Sequence, residues 1–137
     1  MPPLLLDTHT VIWLVRNEPI ARAAEEAIRI AYEADGMLLV SPITAWEVGL
    51  LVSLNRIDLL TTPQRWFARV LSIPNVQLAE LPPDLLIAAS FLPGKPPRDP
   101  ADRILLATAR DLGAILVTRD RALLAYANEG HVGVVAC

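Results

Sequence analysis

Four acids stand out by where they fall. Asp7 ends the apolar run PLLLD just ahead of a helical stretch. Glu47 is the sole charge in PITAWEVGLLVSL. Asp102 lies near the start of ADRILLATARDLG, and Asp120 closes LVTRD. Carboxylates that converge repel one another and shift each other's pKa. A hard divalent cation removes that penalty. Mg²⁺ or Mn²⁺ prefers oxygen ligands, keeps several waters and takes one or two carboxylates from the protein. A cluster of this size suggests one or two such ions, and a pair about 3.5–4 Å apart can activate water and stabilise the leaving oxygen of a phosphodiester.

Each acid also has a plainer role open to it. Asp7 can cap the helix that follows. Glu47 shares a helical face with Ile43, Thr44, Leu50 and Leu51. An unpaired buried carboxylate costs on the order of several kcal/mol, so an Arg, a hydrogen-bond network, a raised pKa or a cation must compensate. Asp99 directly precedes Pro100 and is well placed as an N-cap. Asp102, at about the third helical position, gains from the helix dipole and faces inward or a cleft rim beside Leu105 and Leu106. Thr118 is expected to cap the last helix, which leaves Asp120 without a structural task.

The elements that must position these acids alternate along the chain. Apolar runs at 3–7, 37–41, 76–81, 114–118 and 132–135 read as strands. Between them, helical periodicity covers 8–16, 19–35 and 42–54, a segment opened by Pro63, one from Pro82 to Leu92, then 101–113 and 119–130. Pro19, Pro42, Pro63 and Pro100 suit first turns, while Gly36, Gly113 and Gly130 suit stops. The clear loop is PGKPPRDP, 93–100. Strands alternating with helices imply an α/β fold, a three-layer α/β/α sandwich around a parallel sheet of four to five strands. Ligands in such sheets bind beyond the carboxyl ends of the strands, which is where these acids fall. No repeat or long linker divides the 137 residues, so 1–137 reads as one domain.

Composition narrows the alternatives. At 53% hydrophobic and 20% charged residues the chain can build a core. No run approaches the roughly 18 apolar residues of a membrane span. MPPLLLD lacks the basic start of a signal peptide, and Cys137 is the lone cysteine, which together fit a reducing cytoplasm. A net charge of -3 argues against holding nucleic acid by bulk positive charge, though not against a site where metal ions supply that charge. There is no phosphate-cradling Gly-rich loop and no nucleophile elbow. His9 and His131 are too few for zinc and read as surface or satisfied core residues. Trp13, Trp46 and Trp66 sit among apolar neighbours and read as core or subunit-interface residues, with stacking on RNA bases as the alternative.

LLLDTHTVIWLV, SPITAWEVGLL, RDPADRILLATA and LVTRD, in this order and spacing, resemble the PIN domain and, within it, the VapC toxins of bacterial type II toxin–antitoxin pairs. The likeness spans nearly the whole chain. It implies an Mg²⁺- or Mn²⁺-dependent endoribonuclease whose acidic site is Asp7, Glu47, Asp102 and Asp120. Asp7 and Asp102 would be direct ligands. Glu47 and Asp120 would act through water, place a second ion or orient the attacking water. Asp99 matches a further acid of the pattern, and Thr8 and Thr118 sit where a hydroxyl could hold a carboxylate or a water. Arg103 would meet RNA or antitoxin. Pro97 departs from the pattern, standing where many relatives have His. The resemblance also implies a homodimer silenced by a VapB-type antitoxin, with helices 19–35 and 42–54 offering apolar surface for these contacts. A silent binding module that uses the same acids to hold a partner's Arg is the competing reading.

Overall fold

Of the five strands, those at 4–6, 38–40 and 115–118 are buried on both faces, while those at 76–78 and 133–136 are partly exposed. The computed structural model, which describes all 137 residues, places them in one five-stranded parallel sheet of order β3-β2-β1-β4-β5. The strands are β1 (Leu4–Leu6), β2 (Leu38–Val40), β3 (Val76–Leu78), β4 (Ile115–Thr118) and β5 (Gly133–Ala136). The helices are α1 (Thr8–Val15), α2 (Arg22–Glu33), α3 (Pro42–Ser53), α4 (Pro63–Ser72), α5 (Pro83–Ala88), α6 (Pro100–Leu112) and α7 (Arg121–Ala127). A 3₁₀ turn, Ala89–Phe91, extends α5.

The strand period of two sorts the core into layers. Leu4 and Leu6 point into a cluster with Val11, Ile28, Val48, Trp66 and Val70, beneath α1 to α4. Leu5 points the other way, onto Leu105, Leu106, Leu123 and Tyr126 of α6 and α7. The expected three-layer sandwich is therefore present, with five strands.

Chain order and strand order diverge at one place. β1 lies between β2 and β4, so the chain winds outward from β1 to β3 and later returns to β4 on β1's other side. The crevice at the carboxyl ends of β1 and β4 is the switch point where such sheets bind ligands. Its floor is fastened by Asp7 N–H and Thr10 Oγ1, both donating to the Val117 carbonyl at 3.1 Å.

Side-chain caps set most helix starts. Asp7, Ser41, Thr62, Asp99 and Asp120 accept backbone N–H bonds at the starts of α1, α3, α4, α6 and α7, and prolines open α3, α4, α5 and α6. Gly113 ends α6 at φ 61°. One start differs from expectation: α2 begins at Arg22, not Pro19. Asn17 turns left-handed at φ 56°, and Ile20 packs against the core ahead of the helix. β3 stops at Leu78, with Ala79 N–H still bonded to the Val40 carbonyl. No helix is long and apolar enough to cross a membrane.

Candidate active site

Asp7 emerges from β1 with its backbone already pinned. Its Oδ1 accepts from Thr8 N–H at 2.7 Å and its Oδ2 from the Thr118 hydroxyl at 2.6 Å. It is therefore both a cap and a member of the crevice, 8% exposed. Burial raises its pKa above the ordinary carboxylate range. The bonds from Thr118 and Thr8 and the charge of His9 pull it back, and Asp120 pushes it up again.

Glu47 projects from α3 toward α1. Its Oε1 accepts from the Thr8 hydroxyl at 2.6 Å, and that hydroxyl lies 2.9 Å from the hydroxyl of Thr44. Thr8 has one hydroxyl proton and gives it to Glu47, so Thr44 is the donor to Thr8. The result is a directional chain Thr44→Thr8→Glu47, with both threonines buried. This network is what compensates Glu47; no Arg pairs with it. Burial raises its pKa, the Thr8 bond opposes that, and Asp7 and Asp99 add to it.

Asp102 stands at the third position of α6. Its pKa is pushed up to about 7, by burial first and then by the charges of Asp99, Asp120, Asp7 and Glu47. Those four charges are the ones near enough to Asp102 to oppose its ionisation. Asp99 caps α6 as expected, its Oδ1 accepting from Asp102 N–H at 2.9 Å.

Asp120 departs from the expectation that Thr118 would cap α7. Asp120 is itself the cap, its Oδ1 accepting from Ala122 and Leu123 N–H at 2.9 and 3.1 Å. The Thr118 hydroxyl instead accepts from Asp120 N–H at 3.0 Å and donates to Asp7, so it couples the ends of β1 and β4. A single hydroxyl, already committed to Asp7, serves better as a bridge than as a helix cap. Arg103, expected to meet RNA or antitoxin, donates its guanidinium to the Ala89 carbonyl at 3.2 Å and pairs with no acid. A helical Arg one position past Asp102 is turned about 100° away from it.

Arg119, one of the two arginines that flank Asp120, is likewise engaged elsewhere. Arg119 stacks on Trp13 at 3.7 Å, and its Nε donates to the Cys137 carbonyl. None of the molecule's ion pairs involves Asp7, Glu47, Asp99, Asp102 or Asp120. The five carboxylates at this edge of the sheet thus have no ion-pair partner from the chain itself. Such an all-oxygen donor set suits a hard divalent ion. As positioned, no three of these side chains converge on one point. Ions that take one or two protein carboxylates and fill the remaining positions with water match that spacing.

Sequence reasoning missed two features. Thr44 was visible on Glu47's helical face, one turn before it, but a buried threonine next to leucines carries no sign of the donor role. Trp46, expected in the core or an interface, is 60% exposed in this chain, while its neighbours Thr44 and Val48 take the buried face of α3. Trp66 is buried as expected.

The PIN domain family model matches residues 4–129. Over 135 residues the chain is 33% identical to Ribonuclease VapC22 of Mycobacterium tuberculosis, covering 98% of this chain and 99% of that protein. Among solved structures it is similar to VapBC2 from Rickettsia felis, bound to a DNA fragment from their promoter, with a TM-score of 0.68 at 12% identity and 98% coverage of both chains. It is also similar to FitAcB from Neisseria gonorrhoeae, with a TM-score of 0.52 at 20% identity over 96% of this chain and 95% of that one. At those identities the structures speak to the fold alone.

Proposed function

The chain belongs to the PIN domain family, in its VapC branch, and on that premise we propose that it is a divalent-metal-dependent endoribonuclease, the toxin of a VapBC-type pair. The observation that carries this reading is the crevice itself: acids at the ends of β1 and β4 and on α3 and α6, none of them in an ion pair with a guanidinium, and burial raising the pKa of Asp7, Glu47 and Asp102.

Asp7 and Asp102 are the residues that would hold Mg²⁺ or Mn²⁺, with Glu47 and Asp120 contributing through water or to a second ion. A bound cation supplies the Lewis-acid charge that activates water and stabilises the leaving oxygen of the phosphodiester. The chain's own residues do the positioning. Thr118 and Thr8 N–H fix both oxygens of Asp7, so its remaining lone pairs have one direction. The Thr44→Thr8 chain fixes Glu47, which is suited to orient and deprotonate the attacking water. The backbone bonds to Asp120 Oδ1 leave its second oxygen free to serve the site. Asp99 adds negative charge beside Asp102 and raises the pocket's attraction for cations.

The partners follow from the same assignment. A VapB-type antitoxin fits, since related solved structures are toxin–antitoxin complexes, and its simplest inhibitory contact would be a basic side chain among the unpaired acids. Exposed Ile87 and Phe91 on α5 and its 3₁₀ extension offer an apolar face suited to a second copy of the chain. A ribonuclease toxin would meet its RNA in the cytoplasm.

The test is cleavage of structured RNA by the purified, antitoxin-free chain. Cutting should require Mg²⁺ or Mn²⁺ and vanish in EDTA and in Asp7→Asn and Asp102→Asn, with unchanged circular dichroism. Undiminished cutting in EDTA overturns the reading. Absence of cutting combined with acid-dependent capture of an Arg-bearing partner would establish the silent binding module instead.

A further inference from the structure

Beside the acids lies a cleft of about 430 Å³ between α3 and the start of α6. Ile43, Trp46 and Leu50 form one wall, Pro100 stands on the other, and Glu47 and Asp99 lie at its acidic side. Trp46 is 60% exposed and Leu50, one turn on, 41%. An indole left in water beside a reactive centre gives up burial that a core position would have provided. α3 had such a position available, since Thr44 and Val48 are fully inside.

We infer that this cleft is a nucleobase subsite, in which an unpaired base flanking the scissile phosphate stacks on Trp46. The inference rests on the ribonuclease reading. Trp46 and Glu47 line the same cleft, so a phosphate held at the acids through a cation would put its neighbouring nucleotide within reach of the indole. The charges narrow the occupant further. Two carboxylates, Glu47 and Asp99, line the cleft against one imidazole, His9, so acceptors predominate and favour a base over the backbone phosphate. Asp99 uses Oδ1 to cap α6 and keeps Oδ2 free, an acceptor for the exocyclic amino group of adenine, cytosine or guanine. A net charge of -3 argues against holding RNA by bulk positive charge, which makes a stacking contact more valuable to the chain.

The test combines a protein change with an RNA change. In Trp46→Ala the KM for a single-stranded RNA should rise by roughly 10-fold or more, with kcat within about twofold, and Trp46→Phe should recover most of the loss. Removing the base from the nucleotide beside the cut should penalise the wild-type protein similarly and Trp46→Ala hardly at all, because both changes remove the same contact. A second arm needs no cleavage. With Ca²⁺ in place of Mg²⁺, RNA carrying 2-aminopurine at that position should be quenched on binding, and less so by Trp46→Ala. That arm separates failure of the subsite from failure of the nuclease assignment. An unchanged KM together with full sensitivity to base removal in Trp46→Ala overturns the inference. So does wild-type binding without quenching, or a Trp46→Ala defect confined to antitoxin binding.

Discussion

Two groups of acids in this molecule live under opposite conditions. On the outer face of α2, Glu26 and Glu33 flank Arg29 at helical spacing, and both are paired with it in solvent. Arg29 lowers the pKa of Glu26, and the two acids raise its own. At the carboxyl edge of the sheet the signs reverse. Asp7, Glu47 and Asp102 all titrate higher than usual because burial and like charges disfavour ionisation, and the partners of Asp7 and Glu47 are hydroxyls and a backbone N–H group. The number of acids is therefore uninformative by itself. The distinction is whether the chain supplies its own counter-charge: on α2 it does, and at the crevice it withholds one while spending buried threonines to aim the carboxylates.

The sharpest way to break that comparison is to neutralise an acid at the crevice. Asp7→Asn or Asp102→Asn should cut RNA cleavage by at least about 100-fold, the scale on which a preorganised electrostatic group acts. Asp102→Asn should melt no lower than the wild-type protein in the absence of metal, since it removes a repelled charge. Simultaneous loss of folding would instead make Asp102 a structural residue. A step down in size comes from the hydroxyl that couples the two strand ends. Thr118→Val removes the donor to Asp7 and the acceptor for Asp120 N–H, and should cost about 1–3 kcal/mol in a denaturant titration. Activity should fall by roughly 10- to 100-fold, the range seen when the group orienting a metal ligand is lost. Thr118→Ser should restore both.

A pH series tests the signs themselves. Asp102 has an ordinary value of 3.8 and sits at about 7 in the fold. Between those values the folded chain holds a proton that the unfolded chain has released. Stability of the metal-free protein should therefore fall as pH rises from about 4 to about 7 and level off above, and Glu47 and Asp7 add to the same trend. Thermal melts at pH 5.5 and 8 would show it. Mg²⁺ should raise the melting point more at pH 8, where the acids are already ionised, and Asp102→Asn should flatten the metal-free profile.

Much of this was legible in the sequence because it is local. Alternating apolar runs and proline-marked helices give the layers, and the rule that ligands gather at strand ends puts Asp7 and Asp120 on the right edge before any coordinate is known. Asp99 as a cap follows from its place before Pro100. What was not legible depends on long-range partners. Whether Thr118 caps a helix or bridges to Asp7 is decided across 111 residues. The Thr44→Thr8→Glu47 chain joins α3 to α1 across the crevice. Trp46 in an all-apolar helix offers no periodicity by which to tell an outward ring from an inward one. The departure of Arg103 from the site likewise depends on the Ala89 carbonyl being where α5 ends.

The smallest expected effect closes the comparison from the other side. Arg29→Ala deletes the counter-charge of both Glu26 and Glu33, which by pair counting would look like the gravest electrostatic loss in the molecule. All three side chains are more than half exposed, so water and salt take over what the guanidinium did. Glu26 has a lowered pKa, so what stability the pair contributes is present above its ordinary range and lost as pH falls. A wild-type minus Arg29→Ala difference should therefore be confined to neutral pH and low salt, and disappear in melts at high salt or low pH. RNA cleavage should match the wild-type protein throughout. A cleavage defect in Arg29→Ala approaching that of Asp102→Asn would mean that paired and unpaired acids act as one electrostatic system, and the division drawn between α2 and the crevice would fail.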